Sequence, residues 1–238
     1  LWASEYAYAN VYKPYSLIPA ESLLKKHFRL QKTARWSGTT PEKFILPSIE
    51  RSWITGMNQC IKRHWKKEKQ EIPILLWAEF LGYYISEGSI GNKGYRVIVS
   101  QKPGAKRDII RKCLKQLPFI WKETDMDFYC DSLQLSNYLA QNIGLGAENK
   151  HIPIEVKFYG SDFLKILLMA LQLGDGDEGH YFSISKKLAD DVQEIALKVG
   201  IAANIVRRKS GLAPNSVNPS KDIYIVSLIK NHTHPRVN

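Results

Sequence analysis

Two acidic residues occupy the same local setting in this chain. Glu87 stands in Phe80-Leu81-Gly82-Tyr83-Tyr84-Ile85-Ser86-Glu87-Gly88, and Asp175 in Leu168-Met169-Ala170-Leu171-Gln172-Leu173-Gly174-Asp175-Gly176. Each follows a run apolar enough for a buried helix, and each precedes a glycine. Overlaid at a constant offset of 88 positions, Gly82 coincides with Ala170 and Ser86 with Gly174. Small residues four apart share a helix face and let a second helix backbone come close. A helix C-terminus already carries about half a negative charge, so a carboxylate there opposes the helix dipole. Two such ends side by side concentrate negative charge that a hard, oxygen-preferring cation neutralises, Mg²⁺ being the natural one. Cations held between carboxylates and phosphate oxygens can activate water and stabilise the leaving oxygen of a phosphodiester. One acid near one helix end would be an ordinary solvated residue; two, with matching small faces, point to a site.

The elements that must position these acids repeat as well. Pro73 can open a helix over 74–86, apolar nearly all round and therefore buried, ended by Gly88 with Gly91 and Gly94 behind it. A strand over 95–101 follows, then a helix over 106–117 with Ile109, Ile110, Cys113, Leu114 and Leu117 on one stripe. Residues 119–130 read as extended chain around a turn, and 132–141 as a short helix capped by Ser132. The pattern then restarts. Asp162 can cap a second buried helix over 163–174, stopped at Gly176 and Gly179, before a strand over 181–185. A helix over 187–198, striped by Leu188, Val192, Ile195, Ala196 and Val199, stops at Gly200. Strands over 201–208 and 223–229 flank a loop rich in Pro, Asn and Ser. This predicts an α+β fold of two pseudo-symmetric halves, with helices and antiparallel sheets, packed through the two acid-bearing helices. The division expected is 1–72 as an N-terminal extension, 73–153 as the first half and 154–238 as the second.

The extension carries many of the aromatics and the densest basic run, Lys62-Arg63-His64-Trp65-Lys66-Lys67-Glu68-Lys69. Such a run is commonly a solvated face, but the whole chain is basic: 34 Lys and Arg against 23 Asp and Glu leave +11. That surplus is the footprint of a polyanion binder, and Lys62, Arg63, Lys66 and Lys67 are expected to follow phosphates. Three scattered cysteines, Cys60, Cys113 and Cys130, exclude a disulfide framework and a zinc knuckle and fit a reducing compartment. No apolar stretch reaches the length of a membrane span and no signal peptide is readable, so an intracellular protein, in cytoplasm or nucleoid, is expected. The first residue is Leu1, not Met, which fits processing or trimming.

The two repeated helix ends resemble the LAGLIDADG motif of single-chain, two-motif homing endonucleases, with Glu in place of the usual Asp in the first copy. The resemblance covers residues 72–238 and implies four-stranded sheets straddling the major groove. It implies Glu87 and Asp175 as catalytic metal ligands, with Ser86 and Gly174 beside them. It also implies Mg²⁺ or Mn²⁺ as cofactor, with Ca²⁺ a non-cleaving substitute. Asn149-Lys150-His151-Ile152-Pro153 is similar to the Lys-x-Ile-Pro element of intein-encoded endonucleases, whose lysine serves the active site. A lysine beside phosphate can stabilise charge developing in the transition state. The second half should supply its own, with Lys230 the best placed and Lys186 and Lys209 behind it. Residues 29–47, with Arg35-Trp36 and Phe44-Ile45-Leu46-Pro47, resemble the segment preceding the endonuclease in some inteins. The first residue is no splicing nucleophile and Asn238 follows Val237, not His, so an endonuclease without a working splicing domain, or a fragment of a larger intein, is expected.

The function so implied is site-specific double-strand cleavage of a long, asymmetric DNA target by a monomer, with no membrane partner. Arg96, Ile98 and Ser100 on one strand, and Tyr181, Ser183 and Ser185 on another, are the expected base-reading positions. Lys102, Arg207 and Arg208 are expected to bind DNA beside them. The alternative is a maturase-like or regulator-like relative that binds DNA or RNA without cutting. It has no use for two carboxylates and Lys150 near phosphates.

Overall fold

The computed structural model describes residues 2–8, 11–24, 26–30, 36–55, 61–91, 93–210 and 221–229. Helices α1 (Ile74–Glu87) and α4 (Ser161–Asp175) are the apolar pair at its centre, and their packing is the most extensive between any two described elements. The helices α2 (Ala105–Gln116), α3 (Leu133–Ile143) and α5 (Lys186–Lys198) lie around them. One hydrophobic core runs through both halves, from Phe44 to Leu228, with Trp77, Phe80, Phe163 and Tyr181 among its fully buried side chains.

The repeat holds at the level of topology. The first half forms a four-stranded antiparallel sheet from Gly88–Ile90, Arg96–Ser100, Asp127–Asp131 and Lys122–Glu123, in that spatial order. The second half lays Gly176–Asp177, His180–Ser183, Ile223–Ile229 and Ala202–Arg208 in that spatial order. Numbered along the chain within each half, both sheets read 1-2-4-3, with a helix between the second and third strands. Val97, Val99, Phe128 and Cys130 face inward in the first sheet, and Tyr181, Val226 and Leu228 in the second. Period-two alternation therefore sends Arg96, Ile98, Ser100, Tyr129, His180, Phe182, Ile225 and Ser227 to the opposite faces.

α1 and α4 run directly into a strand at Gly88 and Gly176. Neither glycine has a positive φ. What requires glycine is space: a Cβ at Gly88 would strike Tyr84, and one at Gly176 would strike Gln172, each in the preceding turn. The start of α4 differs from expectation. Its N-cap is Gly160, and Asp162 lies within the first turn without capping. The Gly160 N–H instead donates to Thr40 Oγ1 at 2.8 Å, so an upstream segment completes the helix end. Ser132 caps α3 as expected, accepting from Leu135 N at 3.3 Å.

Upstream, Lys43–Leu46 pairs with Gln70–Pro73, and Phe44 stacks on Trp77 with ring centroids 3.9 Å apart. Trp36 Nε1 donates to Tyr159 O at 2.6 Å. Between the paired strands, Ile49–Thr55 and Ile61–Lys67 form a two-stranded ribbon, so the basic run lies on a strand. Trp2–Tyr8, Val11–Tyr12, Ser16–Leu17 and Phe28–Leu30 make a further small sheet over Ala3, Leu23 and Phe28. No helix among the described residues is long and apolar enough to cross a membrane. Cys113 and Cys130 are free and buried, while Cys60 lies outside the described residues.

Candidate active site at the paired helix ends

The small residues set how close α1 and α4 come. A Cβ on Gly82 would lie 2.5 Å from the Ala170 Cβ and 3.0 Å from Leu167 O. A Cβ on Gly174 would meet Ser86, and would lie 3.3 Å from Glu87 Cγ. Ser86 Oγ donates to Leu171 O at 3.1 Å, tying one helix to the other just before the acids. This seam leaves Glu87 and Asp175 beside each other where both helices turn into strands.

Lys150 completes the site from the loop ahead of α4. It is only 7% exposed, and its Nζ donates to Tyr84 O at 3.2 Å and Ser86 O at 3.4 Å, at the end of α1. Its backbone is held as firmly: Ser185 Oγ donates to Lys150 O at 2.7 Å, and Ile152 N to the buried Asp191 Oδ2 at 2.9 Å. Asp191 Oδ1 in turn accepts from Lys157 Nζ at 2.8 Å. A cavity of about 290 Å³ opens here, lined by Ser86, Lys150, Asp175 and Ser183 among others.

Burial dominates the electrostatics, and at Asp175 the charge of Glu87 adds to it. Burial, and then the charge of Glu87, push the Asp175 carboxyl up to about 6, against the pull of Lys150 and Lys106. Burial raises Glu87 too, opposed by the same two lysines. Burial brings the Lys150 ammonium down to about 8, although both carboxylates favour its charged form.

Two further residues stand at this site, Lys106, which the sequence did not single out, and Tyr181, which it placed among the base-reading positions. Lys106, exposed in the first turn of α2, is near enough for its charge to act on both carboxyls. The sequence places the second lysine in the second half, whereas Lys106 belongs to the first. Tyr181 is fully buried, and burial, Asp175 and Glu87 raise its pKa. Its hydroxyl faces Ser86 but has no well-formed hydrogen bond to a described residue. In the sheets Tyr181 opposes Gly176 as Val99 opposes Gly88, so the two halves differ at this equivalent place. The pairing across each helix–strand corner is the signal that could have found it.

The donor set suits a hard divalent cation: two carboxylates, with a phenolic oxygen unsatisfied nearby and no sulfur or imidazole required. No cluster of three or more His, Cys, Asp or Glu forms a metal cage among the described residues. A cation here would complete its shell with water and substrate oxygens, as Mg²⁺ commonly does. Gly174 has no side-chain donor, and Ser86 spends its hydroxyl on Leu171 O and its carbonyl on Lys150. Glu87 and Asp175 are thus the side chains that could hold it.

The remaining expected residues separate. Arg96 and Ser100 lie on the outer sheet face, where Arg96 Nε donates to Asp131 at 2.7 Å and Ser100 to Asp127 at 2.6 Å. Lys102 is exposed. Ser183 and Ser185 share the parity of the buried Tyr181. Ser183 lines the cavity beside Asp175, and Ser185, 2% exposed, is the N-cap of α5. His180 and Phe182 face outward instead. Arg207 is paired with Asp222 and Arg208 is exposed. Lys186 is bound to Asp190 at 2.6 Å. Lys230 lies outside the described residues. The basic run splits: Arg63 and Lys67 share one ribbon face, Lys62 and Lys66 the other, where Lys66 pairs with Glu68 at 2.8 Å.

No family model matches the chain. Among curated proteins it is 32% identical over 209 residues to an ATP-dependent Clp protease proteolytic subunit of Chlamydomonas moewusii, covering 80% of this chain and 20% of that protein. It is 24% identical, over an alignment of 277 residues, to the DNA-directed RNA polymerase subunit beta C-terminal section of Stigeoclonium helveticum, covering 94% and 24%. The chain spans about a fifth to a quarter of the length of these relatives. Among solved structures it is similar to I-DmoI in complex with DNA and Mn, at 14% identity and a TM-score of 0.45, covering 66% of this chain and 90% of that one. A glycine-to-serine variant of I-DmoI, in complex with its target DNA in the presence of Mg, gives 0.44 at the same identity, covering 66% and 89%.

Proposed function

We propose that this chain is a site-specific, metal-dependent endonuclease of the LAGLIDADG type, hydrolysing both strands of a long, asymmetric duplex DNA target as a monomer. The observation that carries this reading is the convergence of Glu87 and Asp175, at the ends of two close-packed helices, beside the buried Lys150. Without a compensating cation, two half-buried carboxyls side by side are unfavourable, and this is the environment expected of groups kept for chemistry. The curated relatives add support of another kind. A segment common to parts of a protease subunit and a polymerase subunit is better explained as an insert, independent of either named activity, than as machinery of both. An intein-type origin fits that distribution; in the proposed division at residues 72 and 153, Lys43–Leu46 of the extension pairs with Gln70–Pro73 at its junction with the first half.

Bound Mg²⁺ or Mn²⁺ would supply Lewis acidity and neutralise charge at the scissile phosphates, Ca²⁺ being the non-cleaving substitute. Glu87 and Asp175 hold the cation and must be ionised to do so. Lys150, fixed by two carbonyls, offers a donor to charge developing on the phosphate. Lys106 lies in the same field from the solvent side. The seam of Gly82, Ala170, Ser86 and Gly174 keeps the two acids together without a mobile linker.

The test is cleavage of a randomised duplex library by the purified chain in Mg²⁺, followed by the Glu87→Gln and Asp175→Asn variants on the selected site. Each single variant is expected to lose double-strand cutting while retaining some nicking, and the double variant to lose both. DNA affinity without metal is expected to be kept or to rise, since phosphate repulsion is relieved. Equal cleavage by wild type and the double variant would place the active site elsewhere.

A further inference from the structure

The ribbon of Ile49–Thr55 and Ile61–Lys67 carries a pattern that the catalytic reading does not use. Its register sets Arg51 opposite Trp65 and Trp53 opposite Arg63, so cations and indoles alternate in both directions on one face. Trp53 and Trp65 are 47% and 38% exposed, although large apolar surface is normally covered. The register makes them diagonal neighbours, with backbone positions roughly 7 Å apart, within reach of one another's aromatic side chains.

That face closes one side of a cleft of about 980 Å³, whose other side includes Lys93, Tyr95 and Asn137. The cleft thus holds three aromatic rings and the cations Arg51, Lys67 and Lys93, with Arg63 on the same ribbon face. None of the four cations is in an ion pair with a described residue. The one acid of the lining, Asp131, is neutralised by Arg96 at 2.7 and 3.1 Å. An apolar peptide would leave the cations unpaired, and an intact duplex keeps its base faces covered. Unpaired bases over indoles, with phosphates on the flanking cations, satisfy both halves of the pattern.

We propose that this cleft binds a single-stranded DNA segment, without sequence preference, by stacking bases on Trp53 and Trp65 and pairing phosphates with Arg51, Arg63, Lys67 and Lys93. The site is separate from the carboxylates. Only the choice of DNA over RNA rests on the catalytic reading.

The test uses the full chain without metal, titrated with labelled oligothymidylate, oligouridylate and a duplex of equal length. Oligothymidylate is expected to quench tryptophan fluorescence. Trp53→Ala or Trp65→Ala should each weaken its binding about 10-fold, in keeping with the stacking energy of one base, while the Phe variants retain most of it. Arg63→Gln with Lys67→Gln should weaken it more than Lys62→Gln with Lys66→Gln on the reverse face. The Glu87→Gln, Asp175→Asn double variant should bind oligothymidylate as wild type does, so loss of cleavage and loss of this site are read independently. Unchanged oligothymidylate binding in both Ala variants, or an equal loss on the duplex, would overturn the proposal. Tighter binding of oligouridylate than of oligothymidylate would overturn the assignment to DNA.

Discussion

A carboxyl that holds its proton more tightly in the folded than in the unfolded chain costs stability once it ionises. Asp175 moves from 3.8 to about 6 on folding. The metal-free protein should therefore lose the stabilising contribution of protonated Asp175 as pH rises across that window. Asp175→Asn should remove this loss, giving a shallower fall in urea stability between pH 4.5 and 7 than in wild type. Mg²⁺ held as proposed would offset the penalty by binding the ionised form. It should raise the melting temperature of wild type at pH 7, and not that of the double-acid variant. The same groups bear on catalysis: protons compete with the cation for Asp175, so cleavage should fall at acid pH, with that limb moving lower as Mg²⁺ is raised, and should fall at alkaline pH as Lys150, at about 8 without metal, loses its proton. Lys150→Met should cost roughly 10²–10³-fold in rate, as for loss of one electrostatic stabiliser, and abolish the alkaline limb. A variant that keeps the full bell-shaped profile would remove Lys150 from the chemistry.

At the level of elements, the acids depend on a seam that tolerates no added volume. A side chain at position 82 must displace Ala170 and the α4 backbone. Gly82→Val should therefore destabilise by about 1–3 kcal/mol or more through overpacking, visible as a lower urea midpoint, and should reduce cleavage further by parting the carboxyls. The Lys150 loop has a comparable dependence on α5. Asp191 accepts from Ile152 N and Lys157 Nζ, and Ser185 accepts from Leu188 N while donating to Lys150 O. Ser185→Ala removes an N-cap worth about 0.5–2 kcal/mol. It should lower stability and cleavage rate together, without changing which DNA sequence is chosen. A changed sequence preference in that variant would return Ser185 to a base-reading role.

Across the whole molecule, a net charge of +11 makes affinity for duplex DNA an ionic-strength effect. The binding constant should fall with salt at a log–log slope of about −0.9 per phosphate contacted. Under the proposed function, sequence preference would rest on the outward sheet faces, where alternation places Arg96, Ile98 and Tyr129 in one half and His180, Phe182 and Asn204 in the other. Alanine at His180 or Phe182 should shift the preferred site in a library selection, whereas alanine at the inward Ser183 should not.

The sequence alone sufficed for what is local or periodic. The two apolar runs ending in acid and glycine, the small residues four apart, the striped helices and the repeat order all follow from side-chain size, polarity and spacing, which act over a few residues. Lys150 was legible too, by its similarity to a known motif. Tertiary structure decided whatever depended on which surface met which. Tyr181 and Ser185 read equally well as outward or inward positions, because alternation gives parity without sign until one residue is buried. The basic run did not reveal that it lay on a ribbon and divided its cations between two faces. Nor could local spacing show Thr40 completing the start of α4, Asp191 anchoring the lysine loop, or Lys106 acting on both carboxyls. Those contacts join residues far apart along the chain, and only the packing of α1 against α4, with the segments folded around them, brings their charges and hydrogen-bonding groups within reach.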